Sequence, residues 1–328
     1  MTTLPTIADI EAAAERLSGH ALRTPVLESE RINNQLGCRL LIKAECLQRT
    51  GSFKFRGAFN MIFGLDDSEK ENGVVAFSSG NHAQGVAAAA KILGIKATIV
   101  MPEDAPQIKI DNTRGDGAEV VLYNRADGNR VAIAEKIISE TGATLVPPYD
   151  APEIMAGQGT LGLELYEQAR KQDLTLDVVL GPCSGGGMIG GTAIAFKDRS
   201  PDTEIYSVEP EGYDDTALSL AAGERIEITP DTPSICDALL LEIPGELTFS
   251  SNKKLLSGGL VVSEAETAQA MKTAFQEYKV VVEPGGAVAL AAVLAGKIDP
   301  KGKTIGVICT GGNVDSETFR KVLEGQYD

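Results

Sequence analysis

The sequence predicts an α/β protein built on parallel sheets that are covered by helices on both faces. Short apolar runs alternate with longer amphipathic stretches along the 328-residue chain, and this alternation is typical of strand–helix–strand units. Three predicted strands end in the glycine-rich turns SSGNH, GPCSGGG and TGGN. Because ligands bind beyond the carboxyl ends of strands in open α/β sheets, we expect these turns to share one site.

The predicted elements cover most of the chain. The predicted strands lie at residues 40–43, 74–77, 97–101, 119–122, 177–180, 204–208 and 304–308. The predicted helices lie at residues 7–17, 80–93, 106–114, 128–141, 154–172, 189–196, 264–278, 286–294 and 316–323. The polar segment 65–72 is a candidate hinge. The chain is long for one compact domain, so its length indicates two closely packed domains.

Charge and composition exclude several classes of partner. The net charge of −16 and the pI near 4.7 argue against nucleic acid or an anionic membrane as a partner. The first residues do not resemble a signal peptide, and no apolar run reaches the ~18 residues that span a bilayer. Five cysteines without a CxxC pair fit reduced thiols, and two histidines exclude a histidine-rich metal centre. We therefore expect a cytoplasmic protein.

The segment from Ser184 to Met188, SGGGM, lies between a predicted strand and a predicted helix. Glycines let backbone N–H groups converge, and a helix N-terminus adds partial positive charge, so the segment predicts a phosphate cradle. The sequence has no GxxxxGK[ST] motif for a nucleoside triphosphate. The alternative is an ordinary tight turn between a strand and a helix.

Lys54 lies in the motif GSFKFRGA, among apolar neighbours. Partial removal from water would lower the pKa of its amine and make it a better nucleophile. The alternative is a solvated surface lysine, which is what most lysines are.

Ser78 and Ser79 precede a predicted helix in the motif SSGNH. Their hydroxyl groups and the amides that follow could bind a carboxylate. The alternative is that one of the hydroxyl groups only caps the helix.

The acidic turn EPEGYDD begins at Glu209 and ends at Asp215. Two carboxylates beside a turn carbonyl provide hard oxygen ligands that suit Mg²⁺ or Ca²⁺. The alternative is a charged surface turn without a ligand.

Six motifs occur in one order along the chain: LQRTGSFKFRGAFN, SSGNHAQGVA, MAGQGT, GPCSGGGM, EPEGYDD and CTGGNVD. With them the sequence resembles the threonine/serine dehydratase and serine racemase family of fold type II pyridoxal-phosphate (PLP) enzymes, including 3-hydroxyaspartate dehydratases. The resemblance implies a tryptophan synthase β-like α/β fold, with two parallel-sheet αβα domains and the cofactor between them. It implies a large PLP-binding domain at 1–65 and 150–328 and a small substrate-gating domain at 66–149.

The resemblance also implies roles for individual residues. Lys54 matches the lysine that bonds to the cofactor, and Ser79 matches the acid/base on the opposite face in serine racemases. The implied cofactor-binding residues are Lys54, Phe53, Asn81, Ser184, Gly185, Gly186, Gly187, Met188, Glu283 and Thr310. The implied substrate-binding residues are Ser78, Ser79, His82 and Arg130. The implied metal ligands, for Mg²⁺, Ca²⁺ or Mn²⁺, are Glu209, the Tyr213 carbonyl and Asp215.

These matches imply an ammonia-lyase that converts L-threonine or L-serine into a 2-oxo acid and ammonia, and that works as a homodimer. Serine racemase and 3-hydroxyaspartate dehydratase are the alternatives within the family. The second carboxylate of 3-hydroxyaspartate would need a cation, and Arg130 is either that cation or a solvent-facing arginine. Ala238 and the apolar residues after it depart from the family pattern near the substrate side chain, so the substrate stays open. A sensor that binds PLP or an amino acid without turnover is the alternative outside the enzymes.

Overall fold

The computed structural model describes residues 3–105, 107–124, 126 and 128–327. The strands are β1 (Val26–Leu27), β2 (Arg39–Ala44), β3 (Val74–Phe77), β4 (Ala97–Pro102), β5 (Glu119–Tyr123), β6 (Thr144–Leu145), β7 (Val178–Pro182), β8 (Glu204–Pro210), β9 (Gly258–Val262) and β10 (Thr304–Cys309). The helices are α1 (Ile7–Leu17), α2 (Glu30–Leu36), α3 (Lys54–Phe63), α4 (Asp67–Asn72), α5 (Asn81–Leu93), α6 (Gln107–Gly115), α7 (Arg130–Thr141), α8 (Pro152–Arg170), α9 (Gly187–Arg199), α10 (Asp215–Ala222), α11 (Glu246–Leu255), α12 (Glu264–Thr273), α13 (Pro284–Leu294) and α14 (Ser316–Leu323).

The strands form two separate sheets, which confirms the predicted α/β fold. The larger sheet has the strand order β1-β2-β10-β7-β8-β9, and the smaller has the order β5-β4-β3-β6. All pairings are parallel except that of the short edge strand β1 with β2. All strands of the smaller sheet lie within the segment predicted to form the small domain. The division into domains itself stays a prediction.

Apolar helices cover the central strands of the larger sheet. Helix α13 is buried along almost its whole length, because its residues are nearly all alanine, glycine, valine and leucine. It packs against β10, β7 and β8, and the small side chains allow this close approach. No helix in the described part of the chain is long and apolar enough to cross a membrane.

A buried cluster of charges fixes helix α3. The guanidinium group of Arg56 donates hydrogen bonds to the carboxylates of Glu45 and Glu164, each with a distance of 2.8 Å. Lys43, on β2, also pairs with Glu164, at 2.6 Å. Because a buried charge without a partner is strongly destabilising, this cluster constrains how α3 lies against β2 and α8. The first residue of α3 is Lys54.

Some elements differ from the sequence-based predictions. Helix α3 was not predicted, and the candidate hinge 65–72 is mostly helix α4, which begins with a capping box formed by Asp66 and Glu69. Helix α7 begins two residues later than predicted, because the Asn129 side chain accepts hydrogen bonds from the amides of Val131 and Ala132. The predicted helix 106–114 begins with Pro106, which lies outside the described residues.

Candidate active site

The glycine-rich segment between β7 and α9 has the geometry of an anion cradle. Gly186 has a φ of 85°, in the left-handed region that favours glycine. A Cβ atom on Gly185 would collide with the ring of Tyr149. Helix α9 begins at Gly187, and no side chain among the described residues caps it. The amides of its first turn are therefore available to an anion, as they would be in a phosphate site.

Lys54 begins helix α3 with its amine partly buried. Its Nζ donates a hydrogen bond to the carbonyl of Pro148, at 2.8 Å, and lies 5.1 Å from the centre of the Phe53 ring. Burial lowers the pKa of Lys54 to about 8, although the negative charge of Glu283 opposes this shift. About a tenth of the amine is therefore neutral, and nucleophilic, at pH 7, whereas an ordinary lysine is almost fully charged there.

Backbone contacts place the Lys54 segment beside the turn that follows β10. The amide of Phe53 donates to the carbonyl of Thr310, at 3.1 Å, and Ser52 forms an isolated bridge with Gly311. Thr310 is buried. The predicted cofactor-binding residues Phe53 and Thr310 therefore lie next to each other, at the carboxyl end of β10.

Asn81, which begins helix α5 after the SSG of the turn, makes hydrogen bonds with two residues next to elements of the larger sheet and its helices. Its Nδ2 donates to Oε1 of Glu283, at 2.6 Å, and its Oδ1 accepts from Nδ2 of Asn313, at 2.8 Å. Burial raises the pKa of Glu283 to about 7, and the charge of Asp237 adds to this shift while the hydrogen bond from Asn81 opposes it. Asn313 was not predicted as a site residue, although it lies in the CTGGNVD motif.

The residues of the SSGNH turn have different environments. The hydroxyl of Ser78 accepts a hydrogen bond from the amide of Gly80, at 3.2 Å. The Ser79 hydroxyl is partly exposed and makes no hydrogen bond with any described residue. The N-cap position of α5 is Gly80, so no side chain at that position caps the helix. The alternative that Ser79 only caps the helix is therefore wrong. The Ser79 hydroxyl remains free to meet a ligand.

His82 is buried, and its ring makes a hydrogen bond with a backbone carbonyl. Its Nε2 lies 2.8 Å from the carbonyl of Val146. Burial lowers the pKa of His82 to about 3, and the positive charge of Lys54 lowers it further. The ring is therefore neutral at ordinary pH. A role for His82 in substrate binding stays a prediction.

Arg130 is the first residue of helix α7 and lies close to the last residue of β3. Its guanidinium carbon is 5.5 Å from the centre of the Phe77 ring, and Phe77 directly precedes Ser78 and Ser79. The side chain is exposed and has no ion pair with a described residue. The positive charge of Arg130 therefore lies over an aromatic ring beside the SSGNH turn.

The acidic turn between the end of β8 and the start of α10 contains two buried carboxyl groups, those of Glu209 in β8 and Asp215 in α10. Glu209 accepts hydrogen bonds from the amides of Thr216 and Ala217, at 3.0 and 2.7 Å. Neither carboxylate oxygen of Asp215 has a hydrogen-bond partner within the described structure. Burial raises the pKa of Asp215 to about 7, and burial together with the charge of Asp215 raises that of Glu209.

The side chains of this turn are too few to form a metal site by themselves. Across the described ranges, no group of three or more His, Cys, Asp or Glu residues could hold a metal ion. The turn therefore offers two buried carboxylates, those of Glu209 and Asp215, and the Tyr213 carbonyl would be a backbone ligand beside them. Unpartnered buried carboxylate oxygens are nevertheless the chemistry that a hard cation satisfies.

The chain belongs to the family of pyridoxal-phosphate-dependent enzymes, whose sequence pattern matches residues 17–311. It is 46% identical, over 97% of its length and 98% of the relative's, to L-threo-3-hydroxyaspartate ammonia-lyase from Pseudomonas sp. It is 42% identical to the serine racemase of Schizosaccharomyces pombe, with 98% of each chain covered. The crystal structure of the threonine deaminase from T.th. matches with a TM-score of 0.89 and 43% identity, covering 95% of this chain and 99% of that one.

The capture of PLP by the cofactor-free protein should depend on pH through Lys54. The neutral amine is the nucleophile, and it predominates above the Lys54 pKa of about 8. The second-order rate constant should therefore level off above that pH and fall about tenfold per unit below it. Stopped-flow absorbance from about pH 6.5 to 9 measures the rate. A rate that does not change across this range would contradict the assignment of a desolvated Lys54.

Proposed function

We propose that the protein is an ammonia-lyase that removes water and ammonia from small β-hydroxy amino acids, with Lys54 as the base. The observation that carries this proposal is the partly buried amine of Lys54, whose pKa is lowered to about 8. The amine is linked through Pro148 and Tyr149 to the glycine-rich cradle. A protein that only sensed an amino acid would not need a lysine held in this state.

The residues present fit pyridoxal phosphate, the cofactor of the family. The segment from Ser184 to Met188 would hold the phosphate, because uncapped amides at a helix N-terminus favour an anion. Asn81 would bind the ring oxygen, since its amide group has a second N–H besides the one given to Glu283. The residues that would surround the ring are Phe53, Glu283 and Thr310.

When bound, PLP accepts electron density and so makes the Cα–H bond of the substrate acidic. The neutral amine of Lys54 then removes the Cα proton, and its pKa of about 8 allows both protonation states near neutral pH. The β-hydroxyl leaves as water after it takes up one proton, and this uptake balances the proton that Lys54 has removed from Cα. The released enamine hydrolyses in solution to a 2-oxo acid and ammonia.

Replacement of Lys54 by alanine should abolish formation of the 2-oxo acid. The variant lacks the base, and loss of a general acid or base alone costs about 10²–10⁴-fold in rate. A coupled keto-acid assay with L-serine, L-threonine and 3-hydroxyaspartate measures the loss. Lys91→Ala, at an exposed lysine of α5, is the control. Turnover by the Lys54 variant at the wild-type rate would overturn the proposal.

Arg130 supports 3-hydroxyaspartate as a second candidate substrate. This arginine is a cation without an ion-pair partner among the described residues, and it lies beside the SSGNH turn. A relative with 46% identity acts on 3-hydroxyaspartate, according to its name. A second carboxylate on the substrate would pair with the Arg130 guanidinium group.

Replacement of Arg130 by glutamine should change substrate preference. A hydrogen bond between charged groups contributes about 1.5–3 kcal/mol, so kcat/KM for 3-hydroxyaspartate should fall about 10–100-fold, with a smaller effect on L-serine. Lys136→Gln, at an exposed lysine of the same helix, should leave both values unchanged. Equal losses for both substrates would show that Arg130 does not recognise the second carboxylate.

The free hydroxyl of Ser79 supports racemisation as a side reaction. Proton delivery to Cα from the face opposite Lys54 would invert the amino acid, and the resemblance to serine racemases puts Ser79 on that face. The hydroxyl makes no hydrogen bond with a described residue that would hold its proton elsewhere. Elimination of water from an L-amino acid needs only Lys54.

Replacement of Ser79 by alanine should therefore separate the two outcomes. Formation of D-serine from L-serine should fall by about 10²–10⁴-fold, as expected for loss of an acid/base group, while some dehydration of L-serine persists. Chiral chromatography of the remaining serine and a keto-acid assay on the same sample measure both. Unchanged racemisation in the variant would exclude Ser79 as the proton donor.

We also propose a divalent cation, Mg²⁺, Ca²⁺ or Mn²⁺, at Glu209, Asp215 and the Tyr213 carbonyl. The two oxygens of Asp215 support it, because they are buried and have no hydrogen-bond partner in the described structure. A cation would balance the two neighbouring carboxylates.

Addition of Mg²⁺ should raise the melting temperature by several degrees. Saturation at ~100 times Kd stabilises the folded state by about 2.7 kcal/mol. Asp215→Asn should remove most of this response, and Glu211→Gln, at an exposed carboxylate of the same turn, should keep it. Differential scanning calorimetry with Mg²⁺ or with a chelator measures the shift. Equal melting temperatures in both conditions would rule out a site here.

The resemblance further supports a homodimer, and the five free cysteines support a location in the cytoplasm. The resemblance also supports a division into a large domain, 1–65 and 150–328, and a small substrate-gating domain, 66–149.

A further inference from the structure

The carbonyl groups of the glycine-rich segment need hydrogen-bond donors on the side away from the ligand. If the N–H groups of a turn converge on an anion, its carbonyl groups point elsewhere, and buried carbonyls that lack donors are costly. Helix α11 lies directly behind this segment. Thr248 Oγ1 donates to the carbonyl of Gly185, at 2.6 Å, and Asn252 Nδ2 donates to that of Gly186, at 3.1 Å.

Both donors are fully buried and lie on the same face of α11. Thr248 is 0% exposed and Asn252 is 1% exposed, and residues four apart on a helix are neighbours. The Asp150 carboxylate accepts the amides of Glu246 and Thr248, each at 3.1 Å, and so fixes the start of this helix.

The loop that contains Asp150 also makes a hydrogen bond with Lys54. Asp150 is two residues from Pro148, whose carbonyl accepts the Lys54 amine. Helix α11 is therefore attached to the segment that orients Lys54, as well as to the glycine-rich segment.

The two carbonyl groups differ in whether they have a second hydrogen-bond donor. The carbonyl of Gly186 also accepts the amide of Gly190, at 3.0 Å, in the first turn of α9. The carbonyl of Gly185 has Thr248 as its only donor within the described part of the chain. Loss of the Thr248 hydroxyl would therefore leave a buried carbonyl without a partner, whereas loss of the Asn252 amide would not.

We propose that Thr248 and Asn252 are positioning residues for the cofactor phosphate. They hold the carbonyl groups of Gly185 and Gly186 outwards, so that the N–H groups of the segment face the phosphate. This inference rests on the proposed use of the segment by PLP. Neither side chain contacts the reacting atoms; both act through the backbone of the turn.

Binding of PLP and of pyridoxal, which lacks the phosphate, distinguishes this role from a general structural one. Cofactor-free protein is titrated with each compound, and the absorbance of the protein-bound cofactor gives Kd. Thr248→Val keeps the shape but removes the donor, and should raise Kd for PLP about tenfold while Kd for pyridoxal changes less than about twofold. Asn252→Leu should raise Kd for PLP about threefold, because Gly190 still serves the Gly186 carbonyl.

Two further variants are the controls. Thr248→Ser keeps the hydroxyl and should restore the wild-type Kd for PLP. Ser251→Ala removes a buried hydroxyl from the same helix that has no hydrogen-bond partner among the described residues, and should change neither Kd. If Thr248→Val does not fold, Asn252→Leu still carries the test, because an unchanged Kd for PLP in that variant would overturn the inference.

Equal weakening of PLP and pyridoxal in Thr248→Val would overturn the inference, because α11 would then act only on folding. An unchanged Kd for PLP would also overturn it. These results are independent of the proposed reaction, because binding is measured without substrate. A wild-type protein that binds PLP but forms no 2-oxo acid would contradict the proposed function and leave the positioning role intact.

Discussion

The amine of Lys54 is held out of bulk water by one hydrogen bond to a backbone carbonyl, that of Pro148. A lysine in this environment loses part of the hydration that favours its charged form, so its pKa falls. The position is maintained by a larger cluster two residues further on, where the buried Arg56 pairs with Glu45 and Glu164. Because such a cluster tolerates little displacement, the first turn of α3 is fixed.

The two sheets contribute different parts of the site around this amine. The larger sheet provides the glycine-rich segment after β7 and the Thr310 turn after β10, which offer backbone groups. The smaller sheet provides the SSGNH turn after β3, which offers the free hydroxyl of Ser79 and the amide of Asn81. The hydrogen bond from Asn81 to Glu283 joins the two halves.

The sequence predicted the central strands well, because strands buried on both faces are continuous apolar runs that stand out from their neighbours. Helix α3 was missed although its residues are amphipathic, because Gly57 lies in its interior and glycine is unfavourable there. The roles of Pro148, Thr248 and Asn252 could not be predicted, because each depends on contact between a side chain and a distant backbone carbonyl. Whether Ser79 caps α5 also depended on geometry, since a capping and a free hydroxyl have the same sequence pattern.

We propose that Lys54, and no other lysine, carries the cofactor. The most direct measurement is reduction of the PLP-loaded protein with borohydride, followed by proteolysis and mass mapping of the peptides. The mass of the reduced cofactor should appear on the peptide containing Lys54 and on no other. Recovery of that mass mainly on a peptide containing another lysine, with Lys54 unmodified, would contradict the account.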